Sequence, residues 1–277
     1  MRKISPLHIL LFALTFLSTL AVGALQENID LLKQPYEIYR GLPFSLTLLI
    51  ILLSHEFSHF LASRVHHVDA TLPYFIPAPT LFGTLGAFIK MKSPITTRNA
   101  LVDIGASGPI AGFIVSVAAT AVGLTLSRVI PIDKVSGEFL FGPSLLFVGM
   151  MKMIIGTIPP NSAVDLHPVA FAGWIGFFVT FLNLIPVGQL DGGHIAYAFL
   201  GEKHMRLSKV LIAVLVFLGV FVYEGWLVWA VLLLFLGLRH PPIVYSEIPL
   251  DSRRKMVGYA TLVIFILTFT PVPIVLQ

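Results

Sequence analysis

Residues 42–59 read LPFSLTLLIILLSHEFSH, a long apolar run that closes on two histidines and a glutamate. On a helix, His55 and His59 fall on one face, one turn apart. That spacing lets two imidazoles reach one cation, and Glu56 stands beside the first of them, close enough to touch a water on that cation. Two ligands and a general base at His-Glu-x-x-His spacing follow the logic of zinc hydrolases. Ionisable groups inside an apolar segment are costly and usually mark chemistry. The bland rival is a pair of structural histidines hydrogen-bonded between helices.

The elements that must hold these groups are set by composition. Of 277 residues, 56% are hydrophobic and 12% charged, and the mean hydropathy is +0.90. A soluble domain carries about a quarter charged residues, so the chain is expected to be an all-α polytopic integral membrane protein. The absence of cysteine excludes disulfides and thiolate ligands. A spanning helix takes about 20 apolar residues, and six to seven such segments are expected, at roughly 4–25, 43–63, 105–127, 169–187, 207–223, 226–240 and 256–275. The first is read as a retained helix, and the missing transit peptide favours a prokaryotic plasma membrane. Segment 139–158, broken by Pro143, is expected to be interfacial or half-inserted.

Residues 71–98 are too rich in proline and glycine for a spanning helix and too apolar for a free loop. A re-entrant, β-like element lying on a cleft is expected there, since irregular backbone at membrane depth survives only where protein covers it or water fills a cavity. With the N-terminus inside, 13 of the 18 lysines and arginines fall on the inner side. This fits the positive-inside rule and explains the basic character without a nucleic-acid partner. No gap between spans has room for an extra soluble domain, so residues 1–277 read as one membrane-embedded unit with a core at about 43–200.

A catalytic zinc needs a third protein ligand and an open position. The second and fourth spans run in the same direction, so the end of the fourth, FLNLIPVGQLDGG, brings Asp191 to the depth of His55 and His59. Gly192 and Gly193 permit close approach there. Asp191 is the expected third ligand, with a helix cap as its rival. Asn183, an amide within the same span, is a candidate oxyanion donor or an interhelical hydrogen-bonding group. In the broken segment, Gly83, Thr84, Leu85, Gly86 and Ala87 are candidates for a strand edge that holds an unwound substrate by β-addition; a plug that only covers the cleft is the rival. His66 and His67 read as solvated, and His194 as a surface or interhelical residue, with a partner that orients Asp191 as its rival.

Taken together, HEFSH at 55–59 and NLIPVGQLDGG at 183–193 resemble the site-2 protease family of intramembrane zinc metalloproteases, with further support from SGPIAG at 107–112 and HPVAFAGW at 167–174. The stretch 83–112 is most similar to the subgroup named for the ethylene-dependent, gravitropism-deficient, yellow-green phenotype. The resemblance implies one Zn2+ per chain, held by His55, His59 and Asp191, with Glu56 as the catalytic glutamate and Asn183 as the motif asparagine. It implies cleavage of peptide bonds in or beside transmembrane helices of another protein, in a lipid setting, with the site toward the cytoplasmic side. PDZ and CBS modules, which the family often carries, are not found. A metal-ion transporter would explain the intramembrane ligands but not the spacing of Glu56, nor the lack of an internal repeat. A protease acting on soluble segments and an inactive binding protein are the other readings. Sequence leaves the oligomeric state open.

Overall fold

The computed structural model describes residues 5–134 and 139–276; Arg2, Lys3 and Ile4, which entered the expectations for orientation and the first span, lie outside them. The chain is mainly helical. The helices are α1 (Pro6–Gln26), α2 (Leu42–Val65), α3 (Arg98–Leu126), α4 (Leu145–Ile154), α5 (Pro168–Leu184), α6 (Asp191–Leu200), α7 (His204–Phe221), α8 (Gly225–Leu236) and α9 (Ser252–Thr268). Four helical segments are long and apolar enough to cross a membrane: Pro6–Gln26, Pro35–Val65, Arg98–Leu126 and Asp191–Phe221. Shorter apolar helices accompany them, and the chain is an integral membrane protein of polytopic type.

Each of the seven expected spans contains a helix, but three are shorter than expected. Helices α5 and α9 have 17 residues each and α8 has 12. Helix α5 can be short because it is the central element, buried along nearly its whole length. It lies so close to α3 that a Cβ on Gly176 would sit 2.0 Å from Ser116 Oγ, and one on Gly173 would sit 2.3 Å from Thr120 Oγ1. Small residues at the contact replace the hydrophobic drive that lipid does not supply between helices. A stacked aromatic row, Phe171, Trp174 and Phe178, fills the other side of α5, with neighbouring centroids 5.8 Å apart. Trp174 Nε1 donates to the Gly142 carbonyl at 2.8 Å.

The fifth expected span, placed from about residue 207, begins earlier. Helix α6 starts at Asp191 and continues through a 3-10 turn at Gly201–Lys203 into α7. The expected half-inserted segment at 139–158 contains α4, whose ten residues reach only about 15 Å.

Residues 71–98 form the expected β-like element. Strands β1 (Tyr74–Pro77) and β2 (Thr84–Phe88) pair antiparallel, with Tyr74 opposite Phe88, Phe75 opposite Ala87 and an irregularity before Pro77 opposite Thr84. Gly83 takes φ +76° at the turn and Gly86 takes φ +96° at the irregularity, a region where L side chains are strained. Thr84 Oγ1 fills the irregularity, donating to Ile76 O at 2.8 Å and accepting from Gly86 N at 2.9 Å. The hairpin is carried by α1: Ser18 Oγ donates to Gly83 O at 2.6 Å, and His8 stacks on Tyr74 at 4.1 Å. Two further strand pairs had no sequence signal: β3 (Arg128–Pro131) with β5 (Ser162–Asp165), and β4 (Phe139–Phe141) with β6 (Ile274–Leu276).

One expectation is corrected. His66 is not simply solvated: its Nε2 lies 2.8 Å from Asp103 Oδ2, and Arg254 donates to the same carboxylate from Nε and Nη2. Asp103 thereby joins the ends of α2 and α9 to α3.

Candidate metal centre

Helix α2 places His55 and His59 on its buried face, at 3% and 5% exposure, with Glu56 beside them at 7%. Asp191 is the first residue of α6. Leu190 occupies the N-cap position and makes no side-chain cap bond; the Asp191 carboxylate is engaged by His55 and His59. The sharp 185–190 connection makes this possible. A Cβ on Gly192 would sit 2.0 Å from Leu184 O, and one on Gly193 would sit 2.4 Å from Gly188 O.

The three side chains meet. His55 Nε2, His59 Nε2 and Asp191 Oδ2 form a triangle whose three edges are each 3.2 Å. They are the metal-capable group among the described residues. Tetrahedral ligands at about 2.0 Å from a zinc ion stand about 3.3 Å from one another, so the triangle fits one face of such a site. The donor chemistry fits too. His59 Nδ1 donates to the Ile104 carbonyl at 2.7 Å, which leaves the lone pair of the neutral ring on Nε2, facing the carboxylate. In that tautomer two acceptors face each other at 3.2 Å, a contact that a metal ion or a proton between them satisfies. A second hydrogen bond of this kind is how ligating histidines are oriented and their tautomer fixed.

Helix α3 supplies that carbonyl and also a floor that sequence reasoning had not assigned. Gly108 and Gly112, from the SGPIAG motif, lie under the two imidazoles. A Cβ on Gly108 would lie 2.1 Å from His59 Nε2, and one on Gly112 would lie 3.1 Å from His55 Nδ1. Gly105 lies under α6, with His194 Cβ 3.0 Å and Asp191 O 3.1 Å from where its Cβ would be. The available signal was the small-residue spacing of 105, 108 and 112 along one helical stripe.

Glu56 does not join the triangle. It faces the backbone amide of Ile89, the residue that follows β2, so the hairpin roofs the centre beside the glutamate. Strand β2 pairs only with β1 among the described residues, which leaves its other edge without a strand partner. Leu85 is 68% exposed and Phe88 47%. Asn183 sits in the last turn of α5 and makes no hydrogen bond with its side chain among the described residues.

The sequence profile of peptidase family M50 matches residues 43–223, which include α2, the hairpin, α3, α5 and α6. The chain is 35% identical to "Probable zinc metalloprotease EGY1, chloroplastic" of Arabidopsis thaliana, over 84% of this chain and 43% of that protein. It is 30% identical to "Probable zinc metalloprotease EGY2, chloroplastic" of Arabidopsis thaliana, over 89% and 44%. It is 28% identical to "Probable zinc metalloprotease EGY3, chloroplastic" of Oryza sativa subsp. indica, over 72% and 37%. The chain thus spans less than half the length of these relatives. With the profile covering the elements that build the triangle, the glutamate and the hairpin, the chain belongs to peptidase family M50.

Proposed function

We propose that the chain is an intramembrane zinc metalloendopeptidase of His-Glu-x-x-His type, acting in or near transmembrane helices of other membrane proteins. The observation that carries this reading is the 3.2 Å donor triangle of His55, His59 and Asp191 with Glu56 next to it on α2. The zinc-metalloprotease names of the relatives support it. A transporter needs the triangle but has no use for a buried glutamate at general-base spacing.

In this mechanism His55, His59 and Asp191 hold one Zn2+ per chain. When bound, the ion supplies Lewis acidity for the scissile carbonyl and for a water. Glu56 takes the proton of the attacking water and returns it to the leaving nitrogen. Asn183 donates its amide N–H to the oxygen on which negative charge develops; an amide with no partner of its own is free to do so. A helical substrate must unwind before its carbonyls can be attacked. The free edge of β2, at Thr84, Leu85, Gly86 and Ala87 with the turn residue Gly83 leading into it, pairs with the unwound segment by strand addition and delivers it next to Glu56. Residues 1–277 act in lipid as one membrane-embedded unit with its core at about 43–200. The site faces the side richer in lysine and arginine, read as the cytoplasmic side of a prokaryotic plasma membrane.

The test pairs metal content with cleavage. The wild-type chain binds about one zinc and cuts a single-span reporter substrate in proteoliposomes. Asp191→Ala loses the zinc, whereas Glu56→Gln keeps it and loses the cleavage. A wild-type chain without zinc, or full zinc retention in Asp191→Ala, overturns the assignment.

A further inference from the structure

Beside the metal centre, on the lysine- and arginine-rich side, a cavity of about 590 Å³ opens between the start of α7 and the segment after α8. Arg206 and Lys209 line it from α7, three residues apart and so on one helix face, and Arg239 lines it from the other wall. None of the three has an ion-pair partner among the described residues. The one carboxylate in the wall, Glu202, accepts the Tyr197 hydroxyl at 2.9 Å. Three unpaired cations against one engaged carboxylate make a cavity for an anion.

The level of the cavity identifies the kind of anion. Helices α7 and α8 are joined by the short turn at 222–224, so Arg206, Lys209 and Arg239 sit together at the opposite end of the pair. That end gathers the charged residues at 202–209 and Arg239, the kind of helix end that lies at the lipid headgroups. Directly beyond the cations the two helices present bare apolar side chains: Val210 is 59% exposed, Phe217 59% and Phe235 88%. A phosphate in the cavity would carry acyl chains along this face.

The cavity is also tied to the centre. His240 in its wall stacks on Tyr197 at 4.3 Å and lies 2.6 Å, Nε2 to Nδ1, from His194, one turn after Asp191. His240 Nδ1 donates to Pro241 O at 2.6 Å, so His194 is the donor between the two rings. A Cβ on Gly188, in the turn preceding Asp191, would sit 2.2 Å from Gly237 O. The strand of chain that carries Arg239 and His240 therefore rests on the turn that aims Asp191.

We infer that this cavity, walled by Arg206, Lys209 and Arg239, is a binding site for one anionic phospholipid, its phosphate among the three cations and its chains against α7 and α8. The site is independent of the protease reading, because its test reads lipid and not cleavage. The protein is exchanged from detergent into nanodiscs of phosphatidylcholine with phosphatidylglycerol, and retained lipid is counted by native mass spectrometry. The wild type keeps one phosphatidylglycerol per chain. Each neutralisation (Arg206→Gln, Lys209→Gln, Arg239→Gln) weakens retention about fivefold, from the ~1 kcal/mol per cation that anionic lipid supplies, and the triple variant about a hundredfold. A control with Lys92→Gln, Arg253→Gln and Lys255→Gln retains the lipid, and circular dichroism shows that both triple variants are folded. Equal loss in the control would mean diffuse charge attraction and would overturn the site, as would retention in the test variant or none in the wild type. Displacement of the lipid by inorganic phosphate or glycerol phosphate at similar concentration would assign the cavity to a soluble phosphate and overturn the lipid.

Discussion

Gly108→Ala is the most demanding perturbation of the centre, because it adds one carbon and removes no ligand. The new Cβ would lie 2.1 Å from His59 Nε2, 2.5 Å from Cδ2 and 2.6 Å from Cε1. Ordinary contact begins at about 3.4 Å, so the ring or the helix must retreat by more than 1 Å. The ring cannot swing aside cheaply, since its Nδ1 is held by the Ile104 carbonyl on the same helix α3. Metal–ligand distances tolerate about 0.2 Å. The expected outcome is zinc affinity reduced at least a hundredfold, the upper range for losing an orienting partner, with an overpacking cost of about 1–3 kcal/mol in stability. Gly112→Ala, at 3.1 Å from His55 Nδ1, needs a shift of only a few tenths of an ångström and should cost about tenfold or less. Zinc retention against a graded chelator series measures both, with circular dichroism to confirm folding. A folded Gly108→Ala that holds zinc within a few-fold of wild type would refute the reasoning, as would a Gly112→Ala that is the more damaged of the two.

Asn183→Ala should lower kcat about a hundredfold through loss of one oxyanion donor, with zinc content and KM little changed; loss of zinc or of folding would return Asn183 to a packing role. Leu85→Pro and Ala87→Pro should each slow cleavage while zinc is retained, because proline removes a donor from the β2 edge; normal cleavage in both variants would remove strand addition from the mechanism. At the N-cap of α9, the Arg254 backbone N–H and guanidinium hold Asp251 below its ordinary value of 3.8. A depressed carboxylate stabilises the fold above its unfolded pKa and loses that contribution as pH falls through the folded one. Protection factors for hydrogen exchange over residues 252–258, corrected for the intrinsic pH dependence of exchange, should therefore be flat above about pH 4 and fall below it, and Asp251→Asn should abolish the change; a loss of protection already at neutral pH would point to another group.

The grouping of His55, His59 and Asp191 was legible because its signals are local or follow from direction alone. The spacing of His55 and His59 is one helical turn, and the depth of Asp191 follows from two spans running the same way. The hairpin was legible as a type of element, since four prolines and two glycines at 71–98 exclude a helix, although its register and its seat on α1 depend on contacts such as Ser18 with Gly83. What sequence did not reveal was set by helix–helix contact. The shortness of α5 follows from its enclosure by α2, α3 and α9, which hydropathy does not record, and the β3–β5 and β4–β6 pairs join segments far apart in the chain. His66 read as solvated because its partners, Asp103 and through it Arg254, lie on other elements. The close approach of Gly108 to the His59 ring was visible only as a stripe of small residues, which in a membrane helix first suggests packing.

That stripe explains how a polar centre is held among apolar helices. Three donor groups from α2 and α6 converge to within 3.2 Å of one another, yet neither helix can supply the pressure that keeps the imidazoles in place, because lipid gives helices no hydrophobic reason to close on each other. Helix α3 closes the set from below. Its glycines allow the approach, the Ile104 carbonyl fixes one imidazole, and Gly105 seats the start of α6. Each feature has a cost, since glycine within a helix loses about 1 kcal/mol relative to alanine and Pro109 interrupts the ladder of α3. A helix selected for stability alone would carry alanine and leucine here. Substituting Gly105, Gly108 or Gly112 by alanine should therefore raise the helical propensity of α3 while weakening the metal centre, an opposition that neither packing nor chemistry alone would produce.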